Sequence, residues 1–61
     1  MDAKEVERLL LKAGFYLKRI KGSHRIYFKE STRIVIPFHA GKSLHPKIVI
    51  EVFELIKSIE D

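Results

Sequence analysis

His24 is the residue best suited to chemistry, because it follows a tight turn within the hexapeptide Gly22-Ser23-His24-Arg25-Ile26-Tyr27. Imidazole has an ordinary pKa near 6.5, so at neutral pH it can either accept or donate a proton. RNA supplies its own nucleophile, the 2′-hydroxyl, so a histidine that transfers protons and several cations that stabilise the developing negative charge suffice to cleave its phosphodiester. The sequence leaves two catalytic roles open, base toward that hydroxyl or acid toward the leaving 5′-oxygen. It also leaves open a structural histidine at the margin of an apolar strand face.

The charge distribution places this histidine in a basic tract. From Lys12 to Lys47 the chain has nine lysine and arginine residues and one carboxylate, Glu30, giving a local charge of +8. The first eleven residues carry −1 and the last fourteen −3, so the net charge is +4. A basic middle with mildly acidic ends predicts a polyanion-binding surface, with nucleic acid as the favoured ligand. The alternative is an ordinary solvated lysine surface.

A second histidine, His39, follows the last predicted strand and is a candidate for the complementary acid or base, or for a phosphate contact. Magnesium sites usually offer one or two well-placed carboxylates, and Glu30 is the sole carboxylate of the basic tract. We therefore expect no metal ion and no other cofactor. His45 directly precedes Pro46, where a role in flanking a helix start is favoured over catalysis.

Further contacts to RNA are predicted on a strand and at the start of a helix. Arg25, Tyr27 and Lys29 alternate along one strand face, where a tyrosine ring between two cations can stack on a base or lie flat on a solvated sheet. The free N–H groups at a helix start favour binding of phosphate. The lysines next to the second helix start and the hairpin turn are therefore also predicted to contact RNA. These residues are Lys21, Lys42 and Lys47.

The composition limits the class of protein. A chain of 61 residues with 46% hydrophobic residues predicts one folded domain spanning 1–61 with a single small core. The absence of cysteine excludes disulfides and thiolate metal sites and favours a reducing cytoplasm. No apolar stretch approaches the roughly 20 residues that cross a bilayer, so we expect neither a membrane span nor secretion.

The pattern of turn and apolar residues predicts the order αβββα. Asp2 and Glu5 have the spacing of a capping box, so the first helix begins there and runs to about Ala13. Three strands follow, at 15–20, 24–29 and 33–38, with a glycine turn between the first two. After a loop at 39–44, Pro46 opens a second helix. Connections this short predict an α+β fold, a three-stranded antiparallel sheet with two helices packed on one face.

The ordered motifs of this chain resemble the HicA family of toxin mRNA interferases. The resemblance is carried by the hexapeptide at 22–27, by Ile36-Pro37-Phe38-His39, and by Gly41-Lys42 with Leu44 and Pro46. It implies a fold like that of double-stranded-RNA-binding domains. It also implies an endoribonuclease that cleaves mRNA, the toxin of a type II toxin–antitoxin system, neutralised by a HicB-like antitoxin, with His24 as the catalytic histidine. The competing hypothesis is a non-catalytic RNA-binding module of the same fold.

Overall fold

A computed structural model describes residues 1–39 and 41–60, and the order of its elements is αβββα. Helix α1 spans Ala3–Lys12 and helix α2 spans Pro46–Glu60. Between them lie strands β1, Tyr16–Lys21, β2, His24–Lys29, and β3, Thr32–Pro37. The expected fold class is confirmed, and element ends shift by one residue except at β2 and at Pro46, where they match. The predicted loop at 39–44 includes residue 40, which is outside the described residues.

Local sequence signals explain where α1 begins and ends. The Asp2 carboxylate accepts the Glu5 backbone N–H at 2.9 Å, and the Glu5 carboxylate accepts the Asp2 N–H at 3.0 Å, so the capping box is confirmed. The helix stops before Gly14, whose φ of +101° is a backbone conformation that side-chain-bearing residues rarely adopt. The chain then turns directly into β1.

The sheet is antiparallel throughout, in the order β1-β2-β3. Lys21 pairs with His24, so the turn between β1 and β2 consists of Gly22 and Ser23, and Gly22 has a φ of +60°. The pairing of β1 with β2 is shifted between Leu17 and Arg19, so Lys18 is the extra residue of a bulge. The bulge changes which residues of β1 face each side of the sheet.

The core lies between one face of the sheet and both helices, as expected. Val6 and Leu10 of α1, Tyr27 of β2, Ile36 of β3 and Val52 of α2 are fully buried. The apolar residues of α2 belong to this cluster or pack against it; they are Ile48, Val49, Val52, Leu55, Ile56 and Ile59. Both helices pack against this one face, so among the described residues no helix lies on the second face, to which the alternate strand residues point. We call that second face the open face.

Candidate functional site

Both helix starts, the first hairpin turn and the exit of β3 meet at one end of the molecule. The Phe38 N–H donates to the Ser23 carbonyl at 2.6 Å, which joins the exit of β3 to the turn before His24. The Leu44 N–H donates to the Met1 carbonyl at 2.9 Å, and Asp2 bridges to Ser43. We call this region, made of residues 1–4, 21–24, 37–39 and 41–47, the histidine end.

His24 is the first residue of β2 and is exposed at the histidine end. It pairs with Lys21 of β1 and Pro37 of β3, and its side chain is on the open face with those of Ile26 and Phe28. The alternative of a structural histidine at the margin of the apolar face is not supported by this geometry, because the side of β2 that packs against the helices is the one with Tyr27. The imidazole is accessible to a ligand from the open face and from the end of the sheet.

His39 is exposed at the same end of the sheet, two residues beyond the cross-strand partner of His24. Its carbonyl accepts the Lys42 N–H at 3.2 Å, which turns the chain back toward the start of α1. Among the hydrogen bonds of the described residues, none joins the two imidazoles. The structure thus brings the two predicted histidines to one end of the sheet while leaving both side chains open to solvent.

A cleft of about 600 Å³ opens beside His39 at the start of α1. Its lining carries two cations, Lys4 from α1 and Lys42 from the loop before α2, together with the capping carboxylate Asp2. The ring of Phe38 forms part of the wall. Lys4 was not among the predicted site residues, because it precedes the basic tract by eight positions. The sequence signal that could have identified Lys4 is the nearby capping box, because it places Lys4 in the first turn of α1.

The expectation that Arg25, Tyr27 and Lys29 form a solvated face is wrong. They do share one side of β2, but that side faces the helices, and the exposed fraction of Tyr27 is 0%. The Lys29 ammonium donates to the Ala13 carbonyl at 2.6 Å, where it caps the end of α1. Tyr27 therefore cannot stack on an RNA base in this structure. The two cations, Arg25 and Lys29, form hydrogen bonds within the protein.

Glu7 of α1 holds this buried side of β2 in place. Its Oε2 accepts hydrogen bonds from the Tyr27 hydroxyl and from Arg25 Nη1, the second at 3.0 Å. The Arg25 guanidinium also lies 4.1 Å from the ring centroid of Phe38, so it links α1 to the segment that leads into His39. Burial, reinforced by the hydrogen bond to Glu7, raises the pKa of Tyr27 far above its ordinary value of 10.0. The phenol therefore stays protonated and acts as a structural donor.

The remaining predicted cations are exposed and lie at the histidine end. Lys21 precedes the turn beside His24, Lys42 lines the cleft, and Lys47 is the second residue of α2. His45 Nδ1 accepts the Lys47 backbone N–H at 3.1 Å, which confirms its expected role in flanking the helix start. Lysine ammonium groups around two exposed imidazoles form a surface suited to holding a phosphodiester and moving protons at it.

The described residues contain no cluster of three or more histidine, cysteine or acidic side chains arranged to hold a metal ion. Within that same part of the chain, neither helix combines the length and the apolar character needed to cross a membrane.

The comparison with protein families gives one result. The family model described as HicA toxin of bacterial toxin–antitoxin matches residues 3–59. No curated protein and no solved structure gives a match. Because the family model covers nearly the whole chain, this protein belongs to the HicA toxin family.

Proposed function

We propose that this HicA-family chain is a metal-independent endoribonuclease that cleaves mRNA, with His24 as its catalytic acid or base. The observation that carries the proposal is the position of His24, exposed at the start of β2 on the open face, with Lys21 as its cross-strand partner and with Lys42 and Lys47 exposed at the same end of the molecule. A solvated imidazole there meets the geometric requirement of a general acid–base catalyst, which is access to the scissile group.

The reaction that fits these side chains is internal transesterification. The 2′-hydroxyl loses its proton and attacks the adjacent phosphorus, and the bond from phosphorus to the 5′-oxygen breaks. The leaving oxygen takes a proton, so the products are a 2′,3′-cyclic phosphate and a 5′-hydroxyl. His24 transfers one of these protons, and His39 is our candidate for the other transfer or for a contact to a neighbouring phosphate.

Negative charge develops on the phosphorus oxygens during this reaction, and cations stabilise it. Lys21 is the cross-strand partner of His24, so its ammonium is on the same side of the sheet and is the first candidate for this role. Lys42 and Lys47 are assigned to positioning the RNA backbone at the histidine end. We assign Arg25 and Lys29 a structural role, because Arg25 Nη1 bonds to Glu7 and the Lys29 ammonium to the carbonyl of Ala13.

The family supports a pairing of this toxin with an antitoxin. Membership in a toxin–antitoxin family implies a paired antitoxin, and we propose a HicB-like protein that covers His24 and blocks access of RNA. An exposed active site on so small a chain is easily covered by one partner. The cell compartment of this pair is proposed to be the cytoplasm, where mRNA is available.

The test is cleavage of a defined RNA by purified variants. His24→Ala and His24→Gln are expected to lose cleavage by at least about 100-fold, the usual contribution of a general acid or base. His45→Ala is the matched control, since His45 is an exposed histidine of the same end that binds a backbone N–H, and it should cleave at the wild-type rate. A substrate with 2′-deoxyribose at the scissile position should resist the wild-type enzyme.

The same assay also distinguishes the ribonuclease from the alternative, a non-catalytic RNA-binding module. If His24→Ala cleaves at the wild-type rate, the assignment of His24 is wrong. If the wild-type protein binds RNA but leaves it intact in the presence and absence of EDTA, the chain is an RNA-binding module without catalytic activity.

A further inference from the structure

The open face of the sheet combines aromatic and basic side chains that neither α1 nor α2 covers. Cross-strand register arranges its residues in three rows, which run from the far end of the sheet to the histidine end. These rows are Tyr16, Phe28 and Arg33, then Arg19, Ile26 and Val35, then Lys21, His24 and Pro37. The row that contains His24 is thus continuous with two further rows on one surface.

The first row presents two neighbouring aromatic rings. Tyr16 and Phe28 are direct cross-strand partners, and Tyr16 is 53% exposed. The Lys18 ammonium lies over the Phe28 ring, 4.3 Å from its centroid, so the ring faces the open side and a base that stacks on it takes the place of this ammonium. Aromatic rings displayed on an open sheet are the surface on which several RNA-binding domains stack unpaired bases.

The charge of this face is of one sign. Arg19, Lys21 and Arg33 belong to it by register, and the bulge residue Lys18 adds a fourth cation. Strands β1, β2 and β3 contain no aspartate or glutamate. Unlike Arg25 and Lys29, which bond to groups of the protein, these side chains form no hydrogen bond or ion pair among those found in the described residues. The surface is complementary to a polyanion that also carries flat apolar groups.

The dimensions of the face fit a short piece of single strand. His24 and Phe28 are four residues apart on β2, a span of about 13 Å at the usual rise of a strand. Sheets of comparable RNA-binding domains stack two or three bases. The bases of a duplex are paired and stacked inside the helix, so a sheet surface reaches only their edges; unpaired bases can turn outward onto aromatic rings.

We propose that the open face is a binding platform for single-stranded RNA, which stacks bases on Tyr16 and Phe28 and leads the backbone past Arg19 and Arg33 to His24. The inference rests on the proposed ribonuclease function, because that function makes His24 the site to which the platform leads the RNA. It assigns substrate positioning to a face opposite the one that the helices cover, and it makes unpaired RNA the preferred substrate.

The test measures binding separately from cleavage. In the background His24→Ala, affinity for a fluorescently labelled single-stranded RNA is measured by anisotropy. Tyr16→Ala and Phe28→Ala are each expected to weaken binding by at least about 5-fold, the lower limit for loss of one base–aromatic stack. The matched control is Phe53→Ala, which removes an aromatic ring that is 48% exposed on α2, away from the sheet, and should leave affinity unchanged.

Two further measurements keep the proposal testable if Phe28→Ala is poorly folded. Arg33→Ala is expected to weaken binding and to reduce the slope of log affinity against log salt by about 0.7, the value for one phosphate contact on a single strand. An unlabelled duplex of the same sequence should compete much less well than the single strand. Equal competition by the duplex would overturn the platform.

Failure of this proposal can be told apart from failure of the ribonuclease assignment. If wild type cleaves RNA but Tyr16→Ala and Arg33→Ala change neither KM nor affinity, the platform is wrong and the ribonuclease stands. If those variants lose RNA affinity while wild type fails to cleave, the platform stands without catalysis. If they lose only affinity for the antitoxin, the open face is a protein interface and the platform is wrong.

Discussion

The bonds from Glu7 to Tyr27 and Arg25 give a prediction about stability. Replacing Glu7 with alanine leaves the Tyr27 hydroxyl, whose side chain is 0% exposed, without an acceptor. An unsatisfied buried polar group costs about 1–3 kcal/mol. The Arg25 side chain is 33% exposed and can be rehydrated, so loss of its ion pair adds less than about 1 kcal/mol. We therefore expect Glu7→Ala to lower the free energy of unfolding by about 2–3 kcal/mol.

This loss is large for a chain of this size, whose total stability is of the order of 3–9 kcal/mol. Tyr27→Phe alone removes one hydrogen bond to a carboxylate and should cost about 1–2 kcal/mol. In the double variant no hydroxyl is left unsatisfied, so the combined cost should be smaller than the sum of the two single costs. The expected coupling energy is at least about 1 kcal/mol.

Equilibrium urea unfolding of the four proteins, followed by far-ultraviolet circular dichroism, measures this coupling directly. If the slope of the free energy of unfolding against urea concentration is the same for all four proteins, the differences among them are differences in stability alone. If the two substitutions are additive within about 0.5 kcal/mol, the Tyr27–Glu7 hydrogen bond does not support the core in the way described.

Two further predictions concern the same core and the start of α2. The pKa of Tyr27 is raised in the folded state, so above pH 10.0 the unfolded chain loses a proton that the folded chain keeps. The free energy of unfolding of wild type should therefore fall with pH more steeply than that of Tyr27→Phe, by up to about 1.4 kcal/mol per pH unit. Urea unfolding of both proteins between about pH 9 and about pH 11 measures this difference. Equal slopes would contradict the burial of this phenol. His45→Ala removes the acceptor of the Lys47 N–H and should destabilise the protein by about 1 kcal/mol, with His45→Asn retaining most of the stability in thermal unfolding; equal stability of His45→Ala and wild type would show that this cap contributes nothing.

Local signals were sufficient to predict the order of elements. The capping box of Asp2 and Glu5, the turn glycine Gly22 and the helix-starting Pro46 act within a few residues of their own positions. Such signals depend on backbone conformations and short-range hydrogen bonds, so they can be identified without knowledge of the rest of the chain. The hairpin between β1 and β2 therefore followed from the sequence, and with it the position of His24 at the start of a strand.

The assignment of the two faces of β2 did not follow, because both faces of this strand carry apolar residues. The pattern placed Ile26 and Phe28 inward and left Tyr27 outside, whereas Tyr27 is in the core. Tyr27 can be buried because Glu7, twenty positions earlier, accepts a hydrogen bond from its hydroxyl, so the buried polar group has a partner. A pairing between distant elements of this kind leaves no periodic signal in the sequence.

The bulge at Lys18 was hidden for a similar reason. A bulge shifts the register of all residues on one side of it, and its location depends on how β1 meets β2. Without it, the alternation of β1 does not predict that Tyr16 and Arg19 lie on the same face as His24. The open face, and the RNA platform proposed for it, could be identified only once the three strands were in register.

The central claim, that His24 transfers a proton during RNA cleavage, is tested most directly by chemical rescue. His24→Ala should cleave RNA at least about 100-fold more slowly than wild type, and added imidazole should restore the rate in proportion to its concentration, most effectively near the pKa of imidazole. His45→Ala should show no such response to imidazole. A His24→Ala variant that cleaves at the wild-type rate, or that stays inactive in imidazole although it is folded and binds RNA normally, would contradict the claim.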